Sequence, residues 1–132
     1  MIVNFDEFNN IPSVFYYQSN DLKDQPYLWK KENDKYVSLS WLQVKEQVES
    51  LATYLIDLGI LEGDRVLILS ENRPEWQITD LAIMSIGAIS VPAYTTSTTN
   101  DYEYIIKHSG ARCAIVSSVS YTHLTLPTSP HV

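Results

Sequence analysis

Short apolar runs alternate with longer segments of helical periodicity in the second half of the sequence, and this alternation constrains the fold most. Residues 65–69 (Arg-Val-Leu-Ile-Leu) contain four consecutive apolar residues, a pattern typical of a strand buried on both faces. Further strands are predicted at residues 88–91, where Pro92 is expected to end the strand, and at residues 112–116. Helices are predicted from Pro74 to Gly87 and over residues 100–109. Strands and helices thus alternate and are joined by short connections, which predicts parallel strands. The expected fold class is α/β with a partial doubly wound parallel sheet.

The first half of the sequence predicts two helices and a small N-terminal β-hairpin. A short helix is expected at about residues 12–20, and two β-prone runs at residues 27–30 and 36–38 flank a polar turn. A second helix of about 18 residues is expected to begin at a capping box formed by Ser40 and Gln43 and to stop at Gly59. Its apolar residues recur at three- and four-residue steps: Trp41, Val44, Val48, Leu51, Ala52, Leu55 and Leu58.

Charge and composition exclude several functional classes. The 132 residues include nine Lys and Arg against sixteen Asp and Glu, which gives a formal net charge of −7. Because so acidic a chain repels a phosphate backbone, nucleic-acid binding is not expected. Cys113 is the only cysteine, which excludes an internal disulfide and a multi-cysteine metal site. The longest nearly apolar stretch, residues 81–94, is too short for the roughly 20 residues of a membrane span, and a cytoplasmic location is the default expectation.

Few side chains are candidates for chemistry. The four glycines, at positions 59, 63, 87 and 110, match neither a dinucleotide fingerprint nor a Walker loop. His108 lies in the last turn of a predicted helix and is expected to complement the helix dipole, and Cys113 is expected to be a small core residue. Trp29, Trp41 and Trp76 are predicted to be packing anchors. The residues on their own therefore predict a domain without its own catalytic centre.

A hydroxyl-rich run, residues 95–99, has two interpretations. Phosphate binding at the start of the following helix would need glycines and a lysine that the run lacks, so helix capping by Thr98 or Thr99 is favoured. Surface ion pairs are expected between Asp64 and Arg65 and at Glu75, and each should contribute little to stability. His123 and His131, near the end of the chain, carry even less functional weight than His108.

Three segments, in order, resemble the adenylate-forming enzymes. Residues 58–66 (LGILEGDRV) resemble the LGI-x-x-GDRV turn near the start of these enzymes, and residues 70–76 (SENRPEW) resemble their S-x-NRPEW segment. Residues 80–94 contain the LA-x-x-x-x-GA-x-x-VP-x-Y pattern. The combination is specific although each motif is short, and it is most similar to the long-chain fatty acid–CoA ligase branch. The resemblance covers about residues 8–117.

The resemblance implies a two-step reaction in a longer parent protein. A fatty carboxylate attacks the α-phosphate of ATP, giving an acyl-adenylate and pyrophosphate, and the CoA thiol then displaces AMP. The implied cofactors are ATP, Mg²⁺ and CoA. In the family, the phosphate loop, the aromatic-Thr-Glu motif, the ribose-binding Asp and the catalytic Lys belong to later segments. No catalytic, cofactor-binding or metal residue is therefore assigned to this chain, which is expected to be inactive alone. Peripheral membrane contact and a homodimer stay open for the parent.

The end of the chain differs in composition from the rest. All 25 charged residues lie at or before Arg112, and residues 119–129 resemble a translated transposase adapter used in preparing sequencing libraries. We therefore expect residues 1–117 to be the N-terminal part of an AMP-binding domain and residues 118–132 to be a non-native or disordered tail. A natural loop is the alternative for the tail. For the whole, the alternatives are a ligase for another carboxylate, such as an aryl acid or amino acid, and a stand-alone α/β binding or interaction module.

Overall fold

The computed structural model describes residues 4–71, 73–93 and 98–116. After a 3-10 turn at Phe5–Glu7, the elements are α1 (Ile11–Leu22), β1 (Pro26–Glu32), β2 (Lys35–Ser40), α2 (Trp41–Asp57), β3 (Arg65–Leu69), α3 (Pro74–Ser85), β4 (Ile89–Ala93), α4 (Thr99–Ser109) and β5 (Cys113–Val116). Every helix and strand expected from the sequence is present, with its ends within two residues of the predicted positions.

A parallel sheet of three strands, in the order β4-β3-β5, forms the centre of the fold. The register places Arg65 opposite Ile89 on one side of β3, and Val66 opposite Cys113 on the other. Because β3 lies between two partners, its backbone is paired on both edges and four of its five residues are buried. The predicted parallel arrangement is confirmed.

Helices cover both faces of this sheet. Leu67 and Leu69 of β3 belong to one apolar cluster, together with Tyr102 and Ile106 of α4. The alternate residues of β3 belong to a second cluster with residues of α2 and α3, which lie on the opposite face. Side chains of a strand point alternately to its two faces, so two helical layers enclose β3. This is the α/β doubly wound arrangement that the sequence predicts.

The hairpin and α2 form the N-terminal part of the fold. β1 and β2 pair antiparallel, and Asn33 and Asp34 at the tip have positive φ angles of 48° and 63°, which these two residue types tolerate best among non-glycine residues. The capping box of α2 is formed as expected, with Ser40 Oγ accepting from the Gln43 backbone and Gln43 Oε1 accepting from the Ser40 backbone. Along the expected apolar stripe of α2, Val44, Val48, Ala52 and Leu55 are buried.

Pro92 does not end β4, contrary to the sequence-based expectation. It lies inside the strand, opposite Ile68 of β3, and the strand continues to Ala93. The backbone N–H of Ile89 donates to Asp64 O on the β3 side, at 2.8 Å. Because the direction of the N–H groups alternates along a strand, the nitrogen of residue 92 faces the outer edge, where no ladder bond requires a donor. Proline is therefore tolerated at this position of an edge strand.

Candidate functional site

The segment that resembles the LGI-x-x-GDRV turn has a structural role. Asp64 Oδ2 accepts a hydrogen bond from the Leu61 backbone at 2.7 Å and closes the turn between α2 and β3. The same oxygen lies 3.3 Å from Arg112 Nη1, so Asp64 pairs with Arg112 rather than with its neighbour Arg65. Gly63, at φ +83°, donates its N–H to Gly87 O at 2.9 Å and ties the turn to the end of α3. These contacts position the start of β3 and contain no reactive group.

Arg65 binds the C-terminal end of α4. Its Nε donates to Ser109 O at 2.6 Å, which satisfies one of the carbonyl groups left unpaired at a helix end. A cation is also favourable there because the C-terminal end of the helix dipole is negative. The chain turns away at Gly110, which adopts φ +66°, and Arg65 fills the space where a β-carbon would lie. Arg65 thus joins β3 to α4.

Thr98, in the hydroxyl-rich run at residues 95–99, is the N-cap of α4. Thr98 Oγ1 accepts from the Asp101 backbone at 3.2 Å, and Asp101 Oδ2 accepts from the Thr98 backbone at 3.0 Å. This is a reciprocal cap, so capping by Thr98 is confirmed. These bonds hold the pKa of the Asp101 carboxyl below its usual value, the bond from the Thr98 backbone contributing most. Residues 95–97 of the run lie outside the described residues.

A cleft between β1 and the start of α3 is a candidate binding site. It has a volume of about 660 Å³. One wall is formed by the strand, from Leu28 to Glu32, and the other by the N-terminal turn of α3 and the residue before it. The residues that line it are Leu28, Trp29, Lys30, Lys31, Glu32, Arg73, Pro74, Glu75 and Gln77. The segment that resembles S-x-NRPEW therefore contributes its arginine, proline and glutamate to this surface.

The charged side chains of the cleft are arranged in pairs. Lys30 Nζ lies 2.9 Å from Glu32 Oε1, and this hydrogen bond is the main reason why the pKa of Lys30 is raised. Arg73 Nε lies 3.3 Å from Glu75 Oε2, which confirms that Glu75 forms an ion pair. The lining thus holds three basic residues and two acidic residues, and each acidic residue already has a basic partner. The lining therefore carries one more basic than acidic residue, in a chain whose formal net charge is −7.

The three tryptophans differ in their surroundings. Trp41 packs edge-on against Tyr27, with ring centroids 3.9 Å apart. Trp76 is partly buried and packs against the cluster that contains Val66 and Ile68 of β3. These two are packing anchors, as expected. Trp29 is not, because it is 57% exposed and lines the cleft instead. The expectation for Trp29 is wrong because β1 turns its alternate residues away from the core, and Trp29 lies on the outward side.

The remaining candidates have structural surroundings. Cys113 is fully buried next to Val66 and Ile68, and burial raises the pKa of its thiol. The thiolate is the nucleophilic form of cysteine, and a raised pKa makes it scarcer. Cys113 is therefore a core residue, as expected. His108 lies in the last turn of α4, as predicted, with its ring stacked on Tyr104 at a centroid distance of 5.4 Å. His123 and His131 lie outside the described residues.

The described residues offer neither a cluster of metal ligands nor a glycine-rich phosphate loop. Among residues 4–71, 73–93 and 98–116, there is no group of three or more His, Cys, Asp and Glu that could hold a metal ion. The glycines there lie in single turns and at helix ends, and do not build a loop that could surround a polyphosphate. No helix in this part of the chain is long and apolar enough to cross a membrane.

The sequence interpretation missed the cleft. Its two walls are more than 40 residues apart in the chain, so their proximity depends on how the hairpin packs on α3 and not on any local pattern. The local signal was limited to the two lysines that follow Trp29, because lysine side chains are mostly exposed in folded proteins.

Comparisons with known proteins agree on one family. The sequence model of the family described as "AMP-binding enzyme" matches residues 15–131. Long-chain-fatty-acid–CoA ligase FadD15 of Mycobacterium tuberculosis is 28% identical over 120 residues, which are 91% of this chain and 20% of that protein. Fatty acyl-CoA synthetase A of Dictyostelium discoideum is 32% identical over 99 residues, 70% of this chain and 15% of that protein. This chain thus spans about a fifth or less of the length of these relatives.

A solved structure has the same fold. Klebsiella oxytoca NpsA, in complex with 3-hydroxyanthranilyl-AMSN, superposes with a TM-score of 0.79 at 27% sequence identity. The superposition covers 92% of this chain and 24% of the NpsA chain. The α/β architecture described above is therefore the architecture of a part of that longer chain.

Proposed function

Because the chain belongs to the family of AMP-binding enzymes, we propose that it is part of a ligase that activates a long-chain fatty acid with ATP. The product is an acyl-adenylate, and the acyl group is then transferred to CoA. The family match over residues 15–131 carries this proposal, and the names of the two relatives point to fatty acids as the substrate class. The parent's cofactors are then ATP, Mg²⁺ and CoA, and its partners are small molecules in the cytoplasm.

The described residues supply scaffold to such a ligase. The turn at residues 58–66 and the contact of Arg65 with α4 fix the central sheet, and neither offers a nucleophile, a general base or a metal ligand. We therefore assign no catalytic residue to this chain. The 132-residue chain alone is expected to form no acyl-adenylate, since the transition state needs positioned donors and a metal ion that the described residues do not provide.

The experiment that tests the proposal begins with the gene. A Ser-, Thr- and Gly-rich phosphate loop encoded in frame, some tens of residues beyond Val116, is the expected result. A natural stop codon at that point would overturn the ligase assignment and favour the stand-alone α/β module. The encoded parent should then release pyrophosphate when given a long-chain fatty acid, ATP and Mg²⁺. Acyl-adenylate formation by the 132 residues alone would contradict the statement that they lack catalytic parts.

A ligase for another carboxylate is the second candidate function. The observation that favours it is the NpsA structure, whose ligand carries a 3-hydroxyanthranilyl group and not a fatty acyl chain. A panel of long-chain fatty acids, benzoates and amino acids, assayed with the parent enzyme for pyrophosphate release, separates the two. A kcat/KM at least about tenfold higher for an aryl acid than for palmitate would overturn the fatty-acid proposal; a difference of that size is about 1.4 kcal/mol in transition-state binding.

The origin of residues 118–132 needs a separate test. We propose that residues 1–117 belong to the natural domain and that residues 118–132 are not natural sequence, because of the adapter-like residues 119–129 and the absence of charge after Arg112. The family match extends to residue 131, so the test has to be made on the gene. Resequencing the locus is expected to give a different continuation after residue 117. A genomic read that encodes this peptide in frame would disprove the adapter origin.

A further inference from the structure

We propose that the cleft between β1 and α3 binds a planar aromatic anion, that is, an aromatic ring carrying a phosphate or a carboxylate. The proposal rests on residues Trp29, Lys31 and Arg73 and does not depend on the ligase assignment. The cleft volume of about 660 Å³ lies within the range of about 300–1,000 Å³ that small-molecule sites occupy.

An exposed indole supplies the aromatic part of the recognition. Trp29 lines the cleft and leaves more than half of its surface accessible, whereas Trp41 and Trp76 pack into the protein. A flat aromatic ligand gains free energy by stacking on such a ring, typically about 1–3 kcal/mol for a nucleobase. The strand backbone at this point is anchored, since the neighbouring Leu28 packs against a cluster that contains residues of α2 and α3.

Two cations supply the charge recognition. Arg73 Nε donates a hydrogen bond to Glu75 Oε2. The two Nη groups of Arg73 have no hydrogen-bond partner in the part of the chain that the structure describes. Guanidinium nitrogens of this kind are suited to two-pronged contact with a phosphate or carboxylate. Lys31 Nζ lies 3.9 Å from Asp34 Oδ1, at the outer limit of an ion pair, and the Lys31 side chain is 60% exposed. Both cations therefore retain donors for an anion.

The acidic residues in the lining do not cancel this charge. Glu32 is paired with Lys30 and Glu75 with Arg73, so each carboxylate has a partner before any ligand arrives. The lining carries one more basic than acidic residue, and the third basic residue, Lys31, lies 3.9 Å from Asp34, which is outside the lining. The two walls are joined beneath the cleft, because Leu28 of β1 and Ile78 of α3 belong to the same apolar cluster. Trp29, Lys31 and Arg73 thus line one cleft whose walls belong to packed elements.

Tryptophan fluorescence of the 132-residue chain tests the proposal. The probes are AMP, benzoate and inorganic phosphate, each titrated at low ionic strength. We expect saturable quenching by AMP or benzoate, and at least about tenfold weaker binding of phosphate, because phosphate lacks the ring that stacks. Stronger binding of AMP than of benzoate identifies a nucleoside phosphate as the ligand, and the reverse order identifies an aryl carboxylate.

Substitutions locate the binding. Arg73→Gln is expected to weaken binding about tenfold and to reduce its salt dependence, because one charged contact with the anion is lost. Trp29→Ala should weaken it by a similar factor, whereas Trp29→Phe, which keeps a stacking ring, should retain most of it. For Trp29 variants, binding is followed by the chemical shifts of the Gln77 side-chain amide. Lys45→Gln is the matched control, since Lys45 lies on α2 outside the cleft and contacts Asn20.

Two results would overturn the proposal. One is the absence of saturable binding of AMP and benzoate up to 10 mM, a concentration of about 10⁻² M that corresponds to less than about 3 kcal/mol. The other is binding that Arg73→Gln and Lys45→Gln weaken equally, because a general charge effect would then explain it. Circular dichroism of each variant confirms that the helices are retained, so that weaker binding is not caused by unfolding.

Discussion

Gly110 and Arg65 form a contact in which each residue depends on the other. Gly110 adopts φ +66°, and an added β-carbon would lie 2.6 Å from Arg65 Nη2. We expect Gly110→Ala to lower the free energy of unfolding by about 1–2 kcal/mol for the left-handed backbone. A further cost of about 1 kcal/mol is expected because Arg65 must leave the Ser109 carbonyl. Urea denaturation of Gly110→Ala and the original protein measures the sum of these two costs.

Two comparisons separate these costs. Gly59→Ala is the control, because Gly59 has φ +93° but no atom within 4 Å of an added β-carbon, so only backbone strain is expected. In an Arg65→Ala background, Gly110→Ala should cost only the backbone part, and the double-mutant cycle gives the coupling. Equal costs of Gly110→Ala with and without Arg65 would contradict the proposed contact.

Cys113 allows a second prediction at the scale of a single residue. Because the side chain is fully buried and burial raises the pKa of the thiol, it is expected to react with a thiol reagent only when the protein unfolds. The rate of modification by a disulfide reagent at pH 8 should be far below that of the urea-unfolded chain. Equal rates in the folded and unfolded states would place the thiol at the surface and disprove the packing of β5 against β3.

At the scale of elements, the cap of α4 predicts a pH dependence. Hydrogen bonds with Thr98 hold the pKa of Asp101 below its ordinary value of 3.8. A carboxyl whose pKa is lower in the folded state stabilises that state above its unfolded pKa, and this stabilisation is lost as the pH falls through the folded value. Asp101→Asn should therefore be less stable than the original protein at pH 7, and the difference should shrink below pH 3.8.

Urea denaturation at several pH values measures this effect. Glu103→Gln is the control, because it removes a carboxylate from an exposed position of the same helix without touching the cap. Its difference from the original protein should lack the same pH profile. A constant difference between Asp101→Asn and the original protein from pH 7 to pH 2.5 would contradict a charged cap.

Elements were predictable from the sequence where their signals are local. The capping boxes at Ser40 and Thr98 each join residues three apart, so neighbouring residues alone reveal them. The place of Pro92 was not predictable, because it depends on which side of β4 faces β3. The exposure of Trp29 likewise depends on how the hairpin sits against α3. The candidate cleft, built from two distant segments, was missed for that reason.

At the scale of the whole molecule, the two outer edges of the sheet differ. The β4 edge is interrupted by Pro92, which cannot donate a hydrogen bond. The β5 edge consists of four uncharged residues without proline, Cys113–Val116, and none of the described residues pairs with its outer side. Unpaired, uncharged edges favour pairing with another chain. We expect the 132-residue chain to associate increasingly with concentration, through β5.

Sedimentation velocity over a range of concentrations measures this association. Val116 is partly buried against the cluster of β3 and α4, at the end of β5. Val116→Lys is expected to lower the association, because a lysine on an edge strand opposes pairing, and circular dichroism checks that the fold is retained. Ile56→Lys is the control, since Ile56 is an exposed apolar residue on α2, away from the sheet edge. If both substitutions reduce association equally, general surface hydrophobicity drives it and not the edge. A cooperative, monodisperse monomer at all concentrations would show that the β5 edge is already protected.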